Sequence, residues 1–216
     1  MSKGVLKEIA DDMVHVEGMA WLNGAAKKIP IKNFVAKVLC KRHNEMLSPL
    51  DVVAANCFRS LKYNAGGTPP SASKPPKLPL TVVSGHDFER WMIKCIIGAV
   101  AGKAIRNLDG SLVDLSSIPP ECFDWMLGDT LIPEPLGAYM EGRLDQLIKI
   151  LNQAAFAPVF DDKTGSLAGC LMKLYGFTYA LALSQPFANV DGWNYRMTKV
   201  NFGTPSRGQL LMSWIA

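Results

Sequence analysis

The stretch that decides the fold runs from Leu39 to Asp51 and reads LCKRHNEMLSPLD. Cys40 and His43 lie three positions apart, a spacing that lets a tight turn aim a thiolate and an imidazole at one tetrahedral metal ion. The second half, from Ser48, carries the residues of a helix start: a capping hydroxyl, a proline suited to the first helical position and an acidic side chain in the first turn. The stretch therefore predicts half of a metal site joined directly to a helix.

The helix that follows is predicted over residues 49–63. Apolar residues recur there at intervals of three and four, which marks one buried face. The face consists of Leu50, Val53, Ala54, Cys57, Phe58 and Leu61. Because Cys57 belongs to this face, we interpret it as a core residue rather than a metal ligand.

Upstream of the quoted stretch, alternating residues predict a β-hairpin over residues 13–39. The first strand begins at Met13, the turn is predicted at Asn23 and Gly24, and the second strand covers residues 28–32. Pro30 lacks an N–H group, which places the second strand at a sheet edge.

Positive charge is concentrated in this first part of the chain. Between residues 26 and 64, eight Lys or Arg face two acidic residues, whereas 15 basic face 17 acidic residues elsewhere. A local excess of this kind is typical of an element that faces nucleic acid. The predicted contacts are Lys27, Lys28, Lys32, Lys37, Lys41 and Arg42. The same pattern also fits a solvated, lysine-rich hairpin.

Residues 65–79 contain five prolines and no apolar periodicity, which predicts a linker or a long exposed loop. We therefore expect three parts: a hairpin-helix segment over 1–64, this linker, and an α+β module over 80–216.

The module combines helices with strands. A capping box from Ser84 to Asp87 opens a helix predicted to run from about 86 to 106, and a shorter helix is expected from 119 to 127. Strands are predicted at 154–160, 166–175, 177–184 and 195–202. The predicted fold class is α+β, with the long helix packed on an antiparallel sheet.

A second group of polar residues lies at the start of the long helix. His86, Glu89 and Arg90 are spaced by three and four residues, and the free N–H groups of a helix start favour anions such as phosphate or carboxylate. A solvated helix flank explains the same residues.

The sequence Cys-x-x-His-Asn resembles the second half of the HNH endonuclease, or treble-clef, signature. The resemblance implies a zinc ion held by Cys40 and His43, with Asn44 at the closing HNH position. It also implies that His15 acts as general base in a metal-dependent endonuclease. The sequence departs from the family because no Cys-x-x-Cys pair precedes His15.

A longer resemblance covers residues 35–202. Its motifs are Cys-x-x-His-Asn-x-x-Leu-Ser-Pro-Leu-Asp, Ser-Gly-His-Asp-Phe-Glu-Arg-Trp-Met-Ile-Lys and Gly-x-Leu-Ala-Gly-Cys. They look like those of an uncharacterised group of short bacterial and phage proteins. This resemblance implies an HNH-like front end fused to an α+β module, without an assigned activity.

Several protein classes lose their usual sequence support. The chain has no Gly-x-Gly-x-x-Gly, Walker, Gly-x-Ser-x-Gly or His-Glu-x-x-His motif. Its longest uncharged apolar run, from Cys95 to Gly102, is eight residues, so we expect no membrane span. Five widely spaced cysteines and a charged start without a signal-peptide core predict a cytoplasmic protein with reduced thiols.

The sequence thus favours a nucleic-acid-associated protein with a degenerate HNH-like motif and zinc as its candidate cofactor. Whether it is an enzyme stays open at this point. The alternative is a non-catalytic phage or mobile-element module that binds and modulates a host protein, which an exposed proline-rich linker and an incomplete ligand set also fit.

Overall fold

The computed structural model describes residues 3–9, 13–16, 22, 25, 27–30, 39–64, 80–107, 109–142, 154–174, 177–187, 192–201 and 209–215. The helices in these ranges are α1 (Lys3–Ile9), α2 (Lys41–Met46), α3 (Ser48–Asn64), α4 (Gly85–Ala101) and α5 (Glu121–Leu127), with a 3-10 helix at Leu115–Ser117. The strands are β1 (Met13–Val16), β2 (Lys27–Pro30), β3 (Thr81–Ser84), β4 (Gly137–Glu141), β5 (Ala154–Phe160), β6 (Leu167–Leu174), β7 (Phe177–Ala182), β8 (Trp193–Tyr195), β9 (Lys199–Asn201) and β10 (Gln209–Ser213). This architecture confirms the predicted α+β class.

Helix α3 confirms the helix predicted after the Cys-His pair, but the proposed capping box is wrong. The helix begins at Ser48 itself, whose hydroxyl donates to the carbonyl of Glu45 at 2.8 Å. Asp51 instead accepts from Lys94 Nζ on α4 at 2.8 Å. The helix start is therefore held by contacts with the preceding helix and with α4, which the local sequence pattern does not report.

Helix α4 begins as predicted. Its N-cap is Ser84, whose hydroxyl accepts from the backbone N–H of Asp87 at 3.1 Å. The helix ends at Ala101, five residues before the predicted limit, and Lys103 takes a φ of 55°. A residue with a positive φ cannot continue a right-handed helix, which accounts for the shorter length.

The largest sheet has the strand order β5-β6-β7-β4-β8, and all its neighbouring strands are antiparallel. The predicted turn between β5 and β6 is confirmed, since Gly165 donates to the carbonyl of Asp161 at 2.8 Å and has a φ of 68°. The strand predicted over 195–202 is instead two strands, β8 and β9, which belong to different sheets. Arg196, with a φ of 40°, lies directly after β8 and interrupts the extended backbone.

Two smaller sheets complete the described strands. In the three-stranded sheet, β10 is central, parallel to β3 and antiparallel to β9. The predicted N-terminal hairpin strands are confirmed, because β1 and β2 pair antiparallel with Met13 opposite Pro30. The turn predicted at Asn23 and Gly24 lies outside the described residues.

Helix α4 lies between α3 and the five-stranded sheet. Trp91 is fully buried, with its ring centroid 5.2 Å from that of Phe58 on α3. Phe88, one turn earlier, packs against Tyr179 of β7 at 5.5 Å. These contacts confirm that the long helix packs on the antiparallel sheet.

One core contains residues from both sides of the proline-rich segment, including Phe58 before it and Trp91 after it. Residues 65–79 themselves lie outside the described ranges, so the proposed boundary between 1–64 and 80–216 stays a prediction. Of the helices described, none combines the length and the apolar character needed to cross a bilayer.

Candidate functional site

The structure brings Cys40 and His43 together at the surface. Cys40 precedes the first residue of α2 and His43 lies in its first turn, so their side chains share one side of the turn. Cys40 Sγ and His43 Nδ1 are 3.3 Å apart, and both residues are exposed. Within the described ranges, no group of three or more His, Cys, Asp or Glu is arranged to hold a metal ion. The structure thus brings together the two residues predicted as zinc ligands, and zinc binding itself stays a prediction.

Four of the six predicted nucleic-acid contacts are described, and all four are exposed. Lys27 and Lys28 lie on β2, while Lys41 and Arg42 begin α2. Lys41 has one acidic neighbour, Glu45, with Nζ 3.9 Å from the carboxylate oxygen. The other three have no ion-pair partner in the part of the chain that the structure describes. Lys32 and Lys37 lie outside it.

The two predicted catalytic residues are placed on different elements. His15 lies on β1, opposite Lys28 in the β1–β2 pair, but its side chain is not among those described. Asn44 is exposed on α2, one position after His43. The endonuclease roles of these two residues therefore stay predictions.

The polar group predicted at the start of α4 was His86, Glu89 and Arg90, and the structure surrounds Glu89 with other partners. The carboxylate of Glu89 is 1% exposed and accepts from the backbone N–H of Ala138 at 2.8 Å. Arg196 donates to both of its oxygens, from Nε at 3.1 Å and from Nη2 at 3.3 Å. His86 Nδ1 lies 3.5 Å from Glu89 Oε2, and its Nε2 donates to the carbonyl of Trp214 at 3.1 Å. Glu89 is thus hydrogen-bonded to Ala138 and Arg196, while the Nδ1 atom of His86 lies beside it without a hydrogen-bond partner among the described residues.

Arg90 does not join this network. Its guanidinium donates to the carbonyls of Met126 and Leu127 at the end of α5, at 3.1 and 2.8 Å, and pairs with Asp87 at 2.8 Å. Arg90 therefore neutralises the negative end of α5 and satisfies its last carbonyls. Ser84 caps α4, and the anion site predicted at this helix start stays a prediction.

Sequence reasoning missed Arg196, whose guanidinium contacts several residues in addition to Glu89. Besides Glu89, it donates to the carbonyl of Ile132 at 2.8 Å, and its guanidinium carbon lies 5.2 Å from the ring centroid of Tyr195 and 5.4 Å from that of Trp214. Glu134 adds a second carboxylate at 3.5 Å. A positive φ at a non-glycine residue costs free energy that such contacts offset. No periodic pattern marks a residue whose partner lies 107 positions away.

The contacts of the Glu89 carboxylate connect secondary-structure elements. Both oxygens of Glu89 are occupied by donors, and Gly137 has a φ of 116° in a place where a Cβ atom would overlap Glu89 Oε1. Burial raises the pKa of the neighbouring Tyr195 to about 12, and the Tyr195 hydroxyl donates to the carbonyl of Leu136 at 3.0 Å. The arrangement ties the start of α4 to β4 through Ala138 and to the residue that follows β8, Arg196.

The five cysteines fall into two groups. Four are buried, and burial raises the pKa of the Cys57 thiol to about 12, of Cys95 to about 11 and of Cys122 to about 12, with Cys170 also well above its usual value. The interpretation of Cys57 as a core residue is confirmed. Cys40 is the one exposed thiol. A thiol reagent in solution can therefore reach Cys40 directly.

In a comparison with known proteins, no family model, no curated protein and no solved structure matches this chain. The resemblance to the HNH signature stays a prediction from the sequence.

Proposed function

We propose that this protein binds nucleic acid through a basic surface formed by Lys27, Lys28, Lys41 and Arg42. The observation that supports the proposal is that all four side chains are exposed and only Lys41 lies near a described carboxylate. Exposed cations that lack an acidic partner among the described residues are available to neutralise phosphates.

The electrostatic argument follows from the distribution of charge. The segment from 26 to 64 carries an excess of six positive charges, from eight basic and two acidic residues, within a chain whose net charge is +4. Contacts between Lys or Arg and phosphates release counterions and dominate sequence-independent affinity. Binding requires neither a metal ion nor a catalytic base, so the proposal stands apart from the endonuclease roles predicted for His15 and Asn44.

Charge reversal tests the proposal. We expect Lys27→Glu, Lys28→Glu, Lys41→Glu and Arg42→Glu, combined in one variant, to lower the affinity for a fluorescent duplex DNA by at least tenfold at low salt, because each reversal replaces attraction to phosphate with repulsion. Fluorescence anisotropy measures the affinity. Lys199→Glu, an exposed position on β9, is the matched control and should lose much less.

An affinity that is the same in the combined variant and in the wild type would contradict the proposal. Far-ultraviolet circular dichroism establishes that the variant is folded. The exposed positions of the four side chains make loss of the fold an unexpected outcome.

Protein binding is a second candidate function, favoured by the edge strand β3. Leu80 and Val82 expose 56% and 58% of their surface, and among the described strands β3 pairs only with β10. Exposed apolar residues on a free strand edge fit a partner that adds a strand. A stoichiometric host protein that co-purifies with the wild type but not with Val82→Lys, while DNA affinity is unchanged, would support the interaction module instead.

A further inference from the structure

We propose that His86 forms a proton-dependent link between the start of helix α4 and the end of strand β10. The protonated imidazole donates both to Glu89 on α4 and to Trp214, the residue that follows β10. The neutral imidazole can donate to only one of them. The proposal concerns a conformational equilibrium of the chain and does not depend on nucleic-acid binding.

Each nitrogen of the His86 ring faces an oxygen acceptor. Nε2 is 3.1 Å from the carbonyl oxygen of Trp214, and Nδ1 is 3.5 Å from Glu89 Oε2. A neutral imidazole has one N–H donor, and its other nitrogen is an acceptor. Each neutral tautomer therefore aims a nitrogen lone pair at an oxygen atom, and only the imidazolium ion donates to both oxygens.

The carboxylate of Glu89 has room for this second donor. Its Oε1 accepts from the N–H of Ala138 at 2.8 Å and from Arg196 Nε at 3.1 Å. Its Oε2 accepts, among the described residues, only from Arg196 Nη2 at 3.3 Å. His86 Nδ1 beside it is buried and has no hydrogen-bond partner in the same ranges. Because buried polar atoms are normally paired, a proton on Nδ1 satisfies both atoms with one charge-assisted hydrogen bond.

The charged groups around the imidazole leave one negative charge to neutralise. Glu89 pairs with Arg196, and Glu134 lies 3.5 Å from the same guanidinium. Asp87 and Arg90, also at the start of α4, pair with each other at 2.8 Å. Three carboxylates and two guanidinium groups sum to −1, and the imidazolium ion brings this sum to zero.

Two features oppose the charge on the imidazole. The His86 side chain is 11% exposed, and Arg196 adds a positive charge on the same carboxylate. Burial disfavours an ion unless it is paired and hydrogen-bonded. The imidazolium ion meets both conditions here, because a carboxylate and a carbonyl accept its two protons. The phenol of Tyr195 on β8 stays neutral, since burial raises its pKa to about 12.

The contact with Trp214 is the one that deprotonation weakens. An ionised carboxylate is a stronger acceptor than a carbonyl, so Nε2 releases its proton to solvent and the N–H group at Nδ1 stays on Glu89. The carbonyl of Trp214 then loses its donor. Its ring is left with a neutral contact to Gly85, where an added Cβ would lie 2.5 Å from ring carbons, and with the hydrogen bond from Nε1 to the carbonyl of Met197 at 3.2 Å.

The link should therefore be strongest at acid pH. The attached state binds the proton more strongly than the detached state, so attachment weakens as the pH rises and His86 loses its proton. Strand β10 carries no charged side chain that would titrate with it. Histidine changes charge between about pH 5 and pH 8, which places the change in the physiological range.

Hydrogen exchange of the Trp214 indole N–H tests the proposal in the full-length protein. Its NMR cross-peak is assigned by its loss in Trp214→Phe. After correction for the pH dependence of exchange in free indole, the opening constant should be about tenfold larger at about pH 8 than at about pH 5.5. Nitrogen-15 shifts of the His86 ring should show two N–H groups at the lower pH and one, at Nδ1, at the higher pH.

Variants separate the proton on His86 from other effects of pH. His86→Gln has no titratable group, so its opening constant should be the same at the two pH values. His43→Gln, at an exposed position on α2, is the matched control and should keep the wild-type dependence. Gly85→Ala displaces the indole ring and supplies the detached reference, with a large opening constant at both pH values.

The wild-type measurements decide the question even if His86→Gln does not fold. A wild-type opening constant that is equal at the two pH values, or larger at the lower one, would overturn the proposal. So would a wild-type dependence that persists in His86→Gln, or ring shifts that show a single N–H group on His86 at about pH 5.5.

Discussion

At the scale of single residues, two buried tyrosines differ by one hydrogen bond. The hydroxyl of Tyr139 donates to the carbonyl of Pro135 at 2.6 Å, whereas that of Tyr179 has no partner among the described residues and is fully enclosed. Desolvation raises the pKa of Tyr179 well above its usual value. An unpaired buried hydroxyl destabilises the folded state relative to a paired one.

We therefore expect Tyr179→Phe to leave the free energy of unfolding unchanged or to raise it by about 1 kcal/mol, since it removes an unsatisfied group. Tyr139→Phe should lower it by about 0.5–1.5 kcal/mol, because a hydrogen bond is lost. Urea denaturation of both variants measures the difference. A larger loss for Tyr179→Phe than for Tyr139→Phe would contradict the assignment of the two hydroxyls.

The buried pair of Glu89 and Arg196 provides a second residue-scale prediction. Glu89→Gln and Arg196→Met should each lower the free energy of unfolding by about 3–5 kcal/mol, because each leaves a buried charge without its main partner. The double variant should lose at least about 1 kcal/mol less than the sum of the two.

The matched control is the pair of Asp87 and Arg90 on the same helix, whose side chains are 35% and 27% exposed. Asp87→Asn and Arg90→Met should couple by less than about 1 kcal/mol, as partly exposed pairs do. Equal coupling in the two cycles would contradict the structural role of the Glu89 network.

Sequence reasoning found His86 and Glu89 but assigned Arg90 as their partner. The reason is that helical spacing reports neighbours three and four positions away, while the actual partner, Arg196, is brought in by the fold from beyond β8. For Cys40 and His43, by contrast, the contact is local, and the sequence spacing was sufficient to predict it.

At the scale of elements, the turn between β5 and β6 depends on the charge of Asp161. Oδ1 of Asp161 accepts from the backbone N–H groups of Lys163 and Thr164 at 2.8 and 2.7 Å, and Gln185 donates to its other oxygen. The hydrogen bonds from Thr164 are the main reason why the pKa of Asp161 is lowered from 3.8. The ionised carboxylate therefore stabilises the turn.

A lowered pKa in the folded state gives stability that is fully present above the unfolded value of 3.8 and is lost as the pH falls through the folded pKa. Asp161→Asn should therefore flatten the decline of unfolding free energy on the acid side. Part of this decline should remain in the Asp161→Asn variant, because hydrogen bonds also lower the pKa values of Asp109 and Asp114. Urea denaturation at several pH values measures it.

Asp162→Asn, at the exposed neighbouring position, is the control and should keep the wild-type slope. An Asp161→Asn variant with that same slope would show that the carboxylate charge does not stabilise the turn.

Helices were easier to predict than strands, for physical reasons. Apolar spacing located α3, and a side-chain cap located α4; both are local signals. Strand β10 was missed because its register comes from β3, with Leu210 opposite Thr81 far away in the chain. Strand β4 was missed because Pro133, Pro135 and Gly137 surround its start, and these residues normally indicate a loop.

At the scale of the whole molecule, a part-buried ion pair joins the stretch from Leu39 to Asp51 to helix α4. Lys94 Nζ lies 2.8 Å from Asp51 Oδ2 and donates to the carbonyl of Leu47 at 3.1 Å, with both charged side chains at most 15% exposed. The stretch that begins as a surface Cys-His pair thus ends inside the common core. The sequence predicted both halves but not this attachment.

The difference between buried and exposed parts of this region underlies the proposed roles of its residues. Residues from Leu47 onward stabilise the fold, while α2 and β2 leave their cations at the surface. If these cations bind nucleic acid as proposed, the affinity should depend on salt in proportion to the number of phosphates contacted.

The most direct test of nucleic-acid binding is the salt dependence of duplex DNA affinity in the wild type and in the variant with Lys27, Lys28, Lys41 and Arg42 reversed to Glu. We predict that the logarithm of the wild-type association constant falls linearly with the logarithm of salt concentration, with a slope of about −0.9 for each phosphate neutralised. The variant should have a slope smaller by about 3–4, because four cations no longer release counterions. Equal slopes in the two proteins, or no measurable affinity of the wild type at low salt, would contradict the account.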